Sequence, residues 1–123
     1  MVGRTGAQRV LRRASRAAED EALARFFHGL SDPTRVRVLR FLLDGPKTAG
    51  EIVRHLGRHQ PSVSSHLTCL RFCGYVEARR QGRNVLYEII DPDVRRIMEK
   101  GERYLGRNED RILACRVIGA ETD

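Results

Sequence analysis

Apolar residues recur along this chain in two rhythms. Leu23, Phe26, Phe27 and Leu30 follow i, i+3, i+4, i+7 and predict a first helix with one buried face. In LSDPTRVRVLRFLLDGP, Asp32 is an N-cap and Pro33 a first helical residue, and the stop is Asp44-Gly45-Pro46. Val36, Leu39 and Leu43 are expected to form the inner face of this second helix. Thr48 and Glu51 stand in capping-box spacing ahead of a short third helix that ends at Gly57. Pro61 opens a fourth, lined on one side by Val63, Leu67 and Leu70 and closed by Gly74. Two helices joined by a tight turn, the second polar at its start, make a helix-turn-helix.

The rhythm then shortens to two. YVEARRQGRNVLYEI alternates around Gln81-Gly82-Arg83-Asn84, which predicts a β-hairpin, and a hairpin after a helix-turn-helix is a wing. Asp91-Pro92 repeats the cap-plus-proline signal, and Val94, Ile97, Met98, Gly101 and Leu105 trace a fifth helix. Asn108 is expected to cap a last helix carrying Ile112, Leu113 and Cys115. The prediction is a mainly α fold with a β-hairpin: a winged helix-turn-helix over residues 19–118, between an arm, 1–18, and a tail, 119–123.

A length of 123 residues suits one such domain, and an apolar share of 41% supports a packed interior. No run approaches the roughly 20 apolar residues that span a bilayer, and the N-terminus lacks the apolar core of a secretion signal. A cytoplasmic protein with no membrane partner is expected. The net charge of +7 is unevenly placed, since residues 1–18 carry five arginines (Arg4, Arg9, Arg12, Arg13 and Arg16) and no acid. From Ile52 to Val76 there is also no acidic residue, so this window tolerates an anionic partner.

Within that window HQPSVSSHL has the composition of a DNA-reading helix. With Val63, Leu67 and Leu70 turned inward, Gln60, Ser62, Ser64, Ser65 and His66 are left on outward or flanking faces. Glutamine pairs bidentately with adenine, serine meets a base or a phosphate, and Arg58 and Arg83 can grip the backbone on either side. Arg79 and Arg80 of the hairpin extend the same positive surface. Taken singly, the serines would serve equally well as helix caps. Acid depletion, a polar helix start and a basic hairpin together favour double-stranded DNA. Gly57 separates His55 from His59, which argues for surface roles rather than a shared metal site.

HLTCLRFCGYV sets Cys69 and Cys73 on adjacent turns of the same helix, about 40° apart. They can chelate together, and the stripe they begin runs on to Ser62, Ser65 and His66. Cys115 is the third and last cysteine. Three thiolates favour a soft ion such as Cd(II), Pb(II) or Hg(II), whereas Zn(II) prefers a fourth ligand. Core packing and redox sensing remain open readings of the same residues. A helix C-terminus disfavours thiolate, which weakens the redox reading, although Arg71 nearby opposes that effect.

From DPTR through QPSVSSHL to the GR of the hairpin, residues 22–106 resemble the ArsR/SmtB family of bacterial metal-sensing repressors. The resemblance implies a homodimer, paired through its first and last helices, that holds operator DNA until a metal ion lowers its affinity. Within the family the chain is most similar to the CmtR-type cadmium and lead sensors. That likeness implies Cys69, Cys73 and Cys115 as ligands, the last contributed across the dimer. EIVRHL lacks the third-helix cysteines of arsenic sensors, and DPDVRRIMEKGERYL lacks the histidine of fifth-helix zinc sensors. The expected function is a metal-released repressor, with a thiol-redox regulator as the alternative. An enzyme is not expected, because no acid in the segment orients a histidine toward either cysteine.

Overall fold

The computed structural model describes residues 16–115. The arm before Arg16 and the tail of 119–123 lie outside the described residues. Among the described residues, five helices and three strands occur in the order α1 (Arg16–Gly29), α2 (Pro33–Leu42), β1 (Lys47–Thr48), α3 (Ala49–Leu56), α4 (Gln60–Phe72), β2 (Glu77–Gln81), β3 (Asn84–Glu88) and α5 (Pro92–Ala114). This is a winged helix-turn-helix. Helix α1 begins at Arg16, so the last three residues assigned to the arm are helical.

Local signals set most boundaries. Asp32 caps α2 by accepting from the Arg35 amide at 3.0 Å, with Pro33 next in the chain. Thr48 and Glu51 form a complete capping box at the start of α3: the Thr48 hydroxyl accepts from the Glu51 amide at 3.1 Å, and the Thr48 amide donates to the Glu51 carboxylate at 3.0 Å. Gly57 ends α3 in the left-handed region at φ 62°, which turns the chain sharply into α4. The hairpin closes on Gly82-Arg83, with Gln81 opposite Asn84.

Two elements differ from the sequence expectation. The two-residue strand β1 pairs antiparallel with β3, Thr48 opposite Leu86, giving a three-stranded sheet in the order β1-β3-β2. Two residues are too few to show alternation, and Thr48 is also the cap of α3, so the wing is fastened directly to the helix-turn-helix. The break expected at Asn108 is present as a kink, φ −134° and ψ 17°, but the helix beyond it runs on from the fifth as part of α5. Rather than capping a new helix, the Asn108 side-chain amide donates to the Tyr104 carbonyl one turn back, at 3.2 Å.

The core gathers Val38, Leu39 and Leu42 of α2 with Ile52 and Leu56 of α3 and Val63, Leu67 and Leu70 of α4, closed by Tyr75, Val76, Ile89, Val94 and Met98. Helix α2 lies inside the bundle, so a wider arc of it is covered than one stripe predicts. Val38 and Leu42 join Leu39 in the interior, whereas Val36 and Leu43 are half-buried at its margin. Helix α1 is the reverse case. None of its residues is buried, and Leu23 and Phe27 of the expected inner face are 57% and 53% exposed. Phe27, Leu30, Val36, Ile97, Leu105 and Ile112 line an apolar groove of about 400 Å³ between α1, α2 and α5. The stripe is therefore split: Phe26 and Leu30 pack against the core, while Leu23 and Phe27 face outward from a single protomer.

Candidate nucleic-acid interface and thiol pair

The capping box holds the entry to α3 and pulls the Glu51 carboxyl below its ordinary range, chiefly through the bond from the Thr48 amide. Helix α4 is held from beneath by Val63, Leu67 and Leu70, each no more than 3% exposed. That anchoring leaves Arg58, Gln60, Ser62, Ser64 and Ser65 exposed around its N-terminus. The cap position itself is His59, which makes no side-chain cap bond, so capping does not account for the serines.

His66 lies at the flank of the outward face. It is half-buried, and its charge is felt at Asp32, the cap of α2. Burial raises the Asp32 carboxyl, but the bond from the Arg35 amide and the charges of His66 and Arg35 outweigh it and leave the group below its ordinary value. On the wing, Arg80 and Arg83 are exposed, with Arg83 in the turn. Arg79 is exposed too, yet its Nε lies 2.8 Å from Glu88 Oε1 across the strand pair, which neutralises part of its charge.

Cys69 is half-buried and Cys73 exposed, and both are free thiols. They stand one helical turn apart, and the Cys73 amide closes the end of α4 on the Cys69 carbonyl at 3.0 Å. Burial pushes the Cys73 thiol up from its ordinary value, and Cys69 adds to the rise. The opposing cation is Arg35 of α2 rather than Arg71, which is exposed.

The pair supplies two converging soft donors, which fits a thiophilic ion but does not complete its coordination. Cys115 is half-buried at the end of α5. Among the described residues no three His, Cys, Asp or Glu side chains gather closely enough to hold a metal ion. Arg35 and Tyr75 interact electrostatically with the pair, and no local pattern in the sequence singles them out. Tyr75 comes just after the predicted helix stop at Gly74, and nothing local shows where its hydroxyl goes.

Residues 32–78 match the family described as bacterial regulatory protein, arsR family. The chain is 51% identical over 74 residues to a probable mercury resistance operon repressor of Streptomyces lividans, covering 60% of this chain and 59% of that protein. It thus spans less than two thirds of that repressor's length. To the HTH-type transcriptional regulator CmtR of Mycobacterium tuberculosis it is 46% identical over 79 residues, 64% of this chain and 67% of that one. A third relative, the regulator Rv0081 of the same organism, is 33% identical over 99 residues, 80% of this chain and 83% of that one.

Among solved structures, the homodimeric winged helix-turn-helix DNA-binding domain Mb0332 of Mycobacterium bovis superposes with a TM-score of 0.69 at 26% identity, covering 86% of this chain and 91% of that one. The cadmium metal-sensor CmtR of M. tuberculosis gives 0.55 at 44% identity, covering 63% of this chain and 80% of that one. The relatives are transcriptional regulators, and no helix among the described residues is long and apolar enough to cross a membrane.

Proposed function

The chain belongs to the ArsR family of bacterial transcriptional regulators, and from that premise we propose that it is a homodimeric repressor released from operator DNA by a soft thiophilic ion. Cys69 and Cys73 hold the ion, joined by Cys115 of the second copy, and Cd(II), Pb(II) and Hg(II) are the ions of that chemistry. The observation that carries the reading is one of placement. Two thiols one turn apart end the same helix whose polar start faces outward in an acid-free stretch.

A bound ion supplies soft Lewis acidity that stabilises thiolate over thiol. The protein supplies the rest. Gln60 reads a base edge while Ser62, Ser64 and Ser65 meet bases or phosphates, and Arg58, Arg80 and Arg83 engage phosphates on either side. His66, drawn toward Asp32, is the weakest of these contacts. A half-site per protomer, about one helical turn apart, is the consequence of two-fold pairing through α1 and α5. In the unliganded protein the Cys73 thiol is held toward its protonated form, because burial and the nearby Cys69 disfavour its charge. The raised Cys73 thiol also makes the redox alternative the poorer fit.

The test is an anaerobic titration of reduced protein with Cd(II), tracking the ultraviolet thiolate-to-metal charge-transfer band in wild type and in Cys69→Ser, Cys73→Ser and Cys115→Ser. A saturable band weakened by each substitution is expected, with loss of DNA binding over the same range. A band absent from wild type, or indifferent to all three substitutions, would overturn the metal assignment. Mixed dimers of Cys69→Ser with Cys115→Ser should regain one site if the third sulfur crosses the dimer.

A further inference from the structure

The last turn of a helix leaves carbonyls without helical partners. In α1, two of them are taken by side chains from elsewhere in the fold. Tyr75 Oη donates to the Phe26 carbonyl at 2.5 Å, and Arg35 Nε donates to the Gly29 carbonyl at 2.7 Å. Tyr75 is 2% exposed, with its ring centroid 5.2 Å from that of Phe26. A β-carbon at Gly29 would collide with the Tyr75 hydroxyl, so glycine alone permits this approach.

Both side chains are also linked to the sulfur pair, Tyr75 through the chain and both through charge. Tyr75 lies two residues after Cys73, and its amide bonds the Leu70 carbonyl at 2.9 Å, so it moves with the end of α4. The charge of Arg35 acts on Cys73 and Tyr75, and both thiols act on Tyr75. Arg35 is itself held at its backbone by Asp32, the group that also senses His66. On the far side of these contacts, α1 presents Leu23 and Phe27 outward, on the face left uncovered in one protomer.

We infer that Tyr75 and Arg35 are positioning residues that carry occupancy of the Cys69–Cys73 pair to the last turn of α1, and through α1 to the dimer face. The inference rests on the function proposed above. Ligation draws together two sulfurs at the end of α4, and Tyr75, rigidly bonded to that end, cannot move with them without shifting its hydroxyl against Phe26 and Gly29. Close-packed contacts of this kind switch between discrete arrangements rather than stretch.

The experiment uses full-length protein, Cd(II) as the probe ion, and a fluorescent duplex recovered by in vitro selection against the wild type. Tyr75→Phe keeps the ring and removes the hydroxyl bond; Arg35→Lys keeps the charge and removes the Nε bond. Each variant is read by Cd(II) charge-transfer midpoint, by duplex Kd with and without Cd(II), and by hydrogen exchange of residues 26–31. The expected result is a Cd(II) midpoint and metal-free Kd within about threefold of wild type, and a ratio of the two Kd values reduced at least about fivefold, with Cd(II) no longer altering exchange in that turn. Variants that bind Cd(II) and release DNA as fully as wild type would overturn the inference alone. So would a loss of thermal stability or metal-free DNA affinity that leaves the ratio unchanged, since that marks a merely structural role. A wild type that shows no charge-transfer band would instead overturn the proposed function, and the inference with it.

Discussion

On the proposed function, removing Glu88 from the wing should strengthen DNA binding in a predictable way. Arg79 Nε sits 2.8 Å from Glu88 Oε1, with the two side chains 52% and 25% exposed. An ion pair this open contributes about 0–1 kcal/mol to folding, so Glu88→Gln should leave the thermal midpoint nearly unchanged. Its effect on DNA is larger. Each phosphate newly neutralised steepens the dependence of log K on log salt by about 0.9, so two wings in a dimer add about 1.8. At ~0.15 M salt that corresponds to roughly 30-fold tighter binding if both freed arginines reach phosphates. Fluorescence anisotropy of the selected duplex across a salt series measures both quantities, with Glu88→Ala to remove any hydrogen bond that glutamine retains. Arg79→Ala in the native background should cost less than Arg80→Ala, because Arg79 is already partly neutralised. Unchanged affinity and slope in both Glu88 variants would refute the view that Arg79 is held back from phosphate by its partner.

Other contacts give three more expected outcomes. Thr48→Ala removes the hydroxyl half of a capping box and should cost about 1 kcal/mol, a fall of roughly 4–8 °C in thermal midpoint by circular dichroism. Asp32 is held below its ordinary value of 3.8, so its contribution to stability is fully present above that pH and is lost as the pH falls through the lower folded value. Asp32→Asn should therefore be less stable than wild type near neutrality, and urea titrations should show the gap closing below about pH 4; a gap independent of pH would contradict the linkage. Gln60→Ala should weaken the selected duplex by about 1–3 kcal/mol and relax the choice of one base pair, whereas equal weakening on unrelated DNA would assign Gln60 to phosphate instead.

The sequence by itself determined everything whose cause lies within a few residues. Asp32-Pro33, the Thr48 and Glu51 pair, Gly57, Gly82 and the i, i+4, i+7 series of Val63, Leu67 and Leu70 act through bonds and packing one turn away. The helix-turn-helix, the wing and the shared helix of Cys69 and Cys73 were legible for that reason, as was the break at Asn108. Tertiary structure decided what depends on partners distant in the chain. It gave β1 its strand by pairing it with β3, turned Val38 and Leu42 rather than Val36 and Leu43 into the core, and set His66 near Asp32 and Arg79 on Glu88. It also brought Tyr75 to the Phe26 carbonyl across 49 residues and bonded Arg35 to the Gly29 carbonyl while its charge reaches Cys73. A tyrosine hydroxyl or an arginine takes any acceptor within reach, so its identity carries no record of which one. Only the packing of α1 against the end of α4 selects the partner.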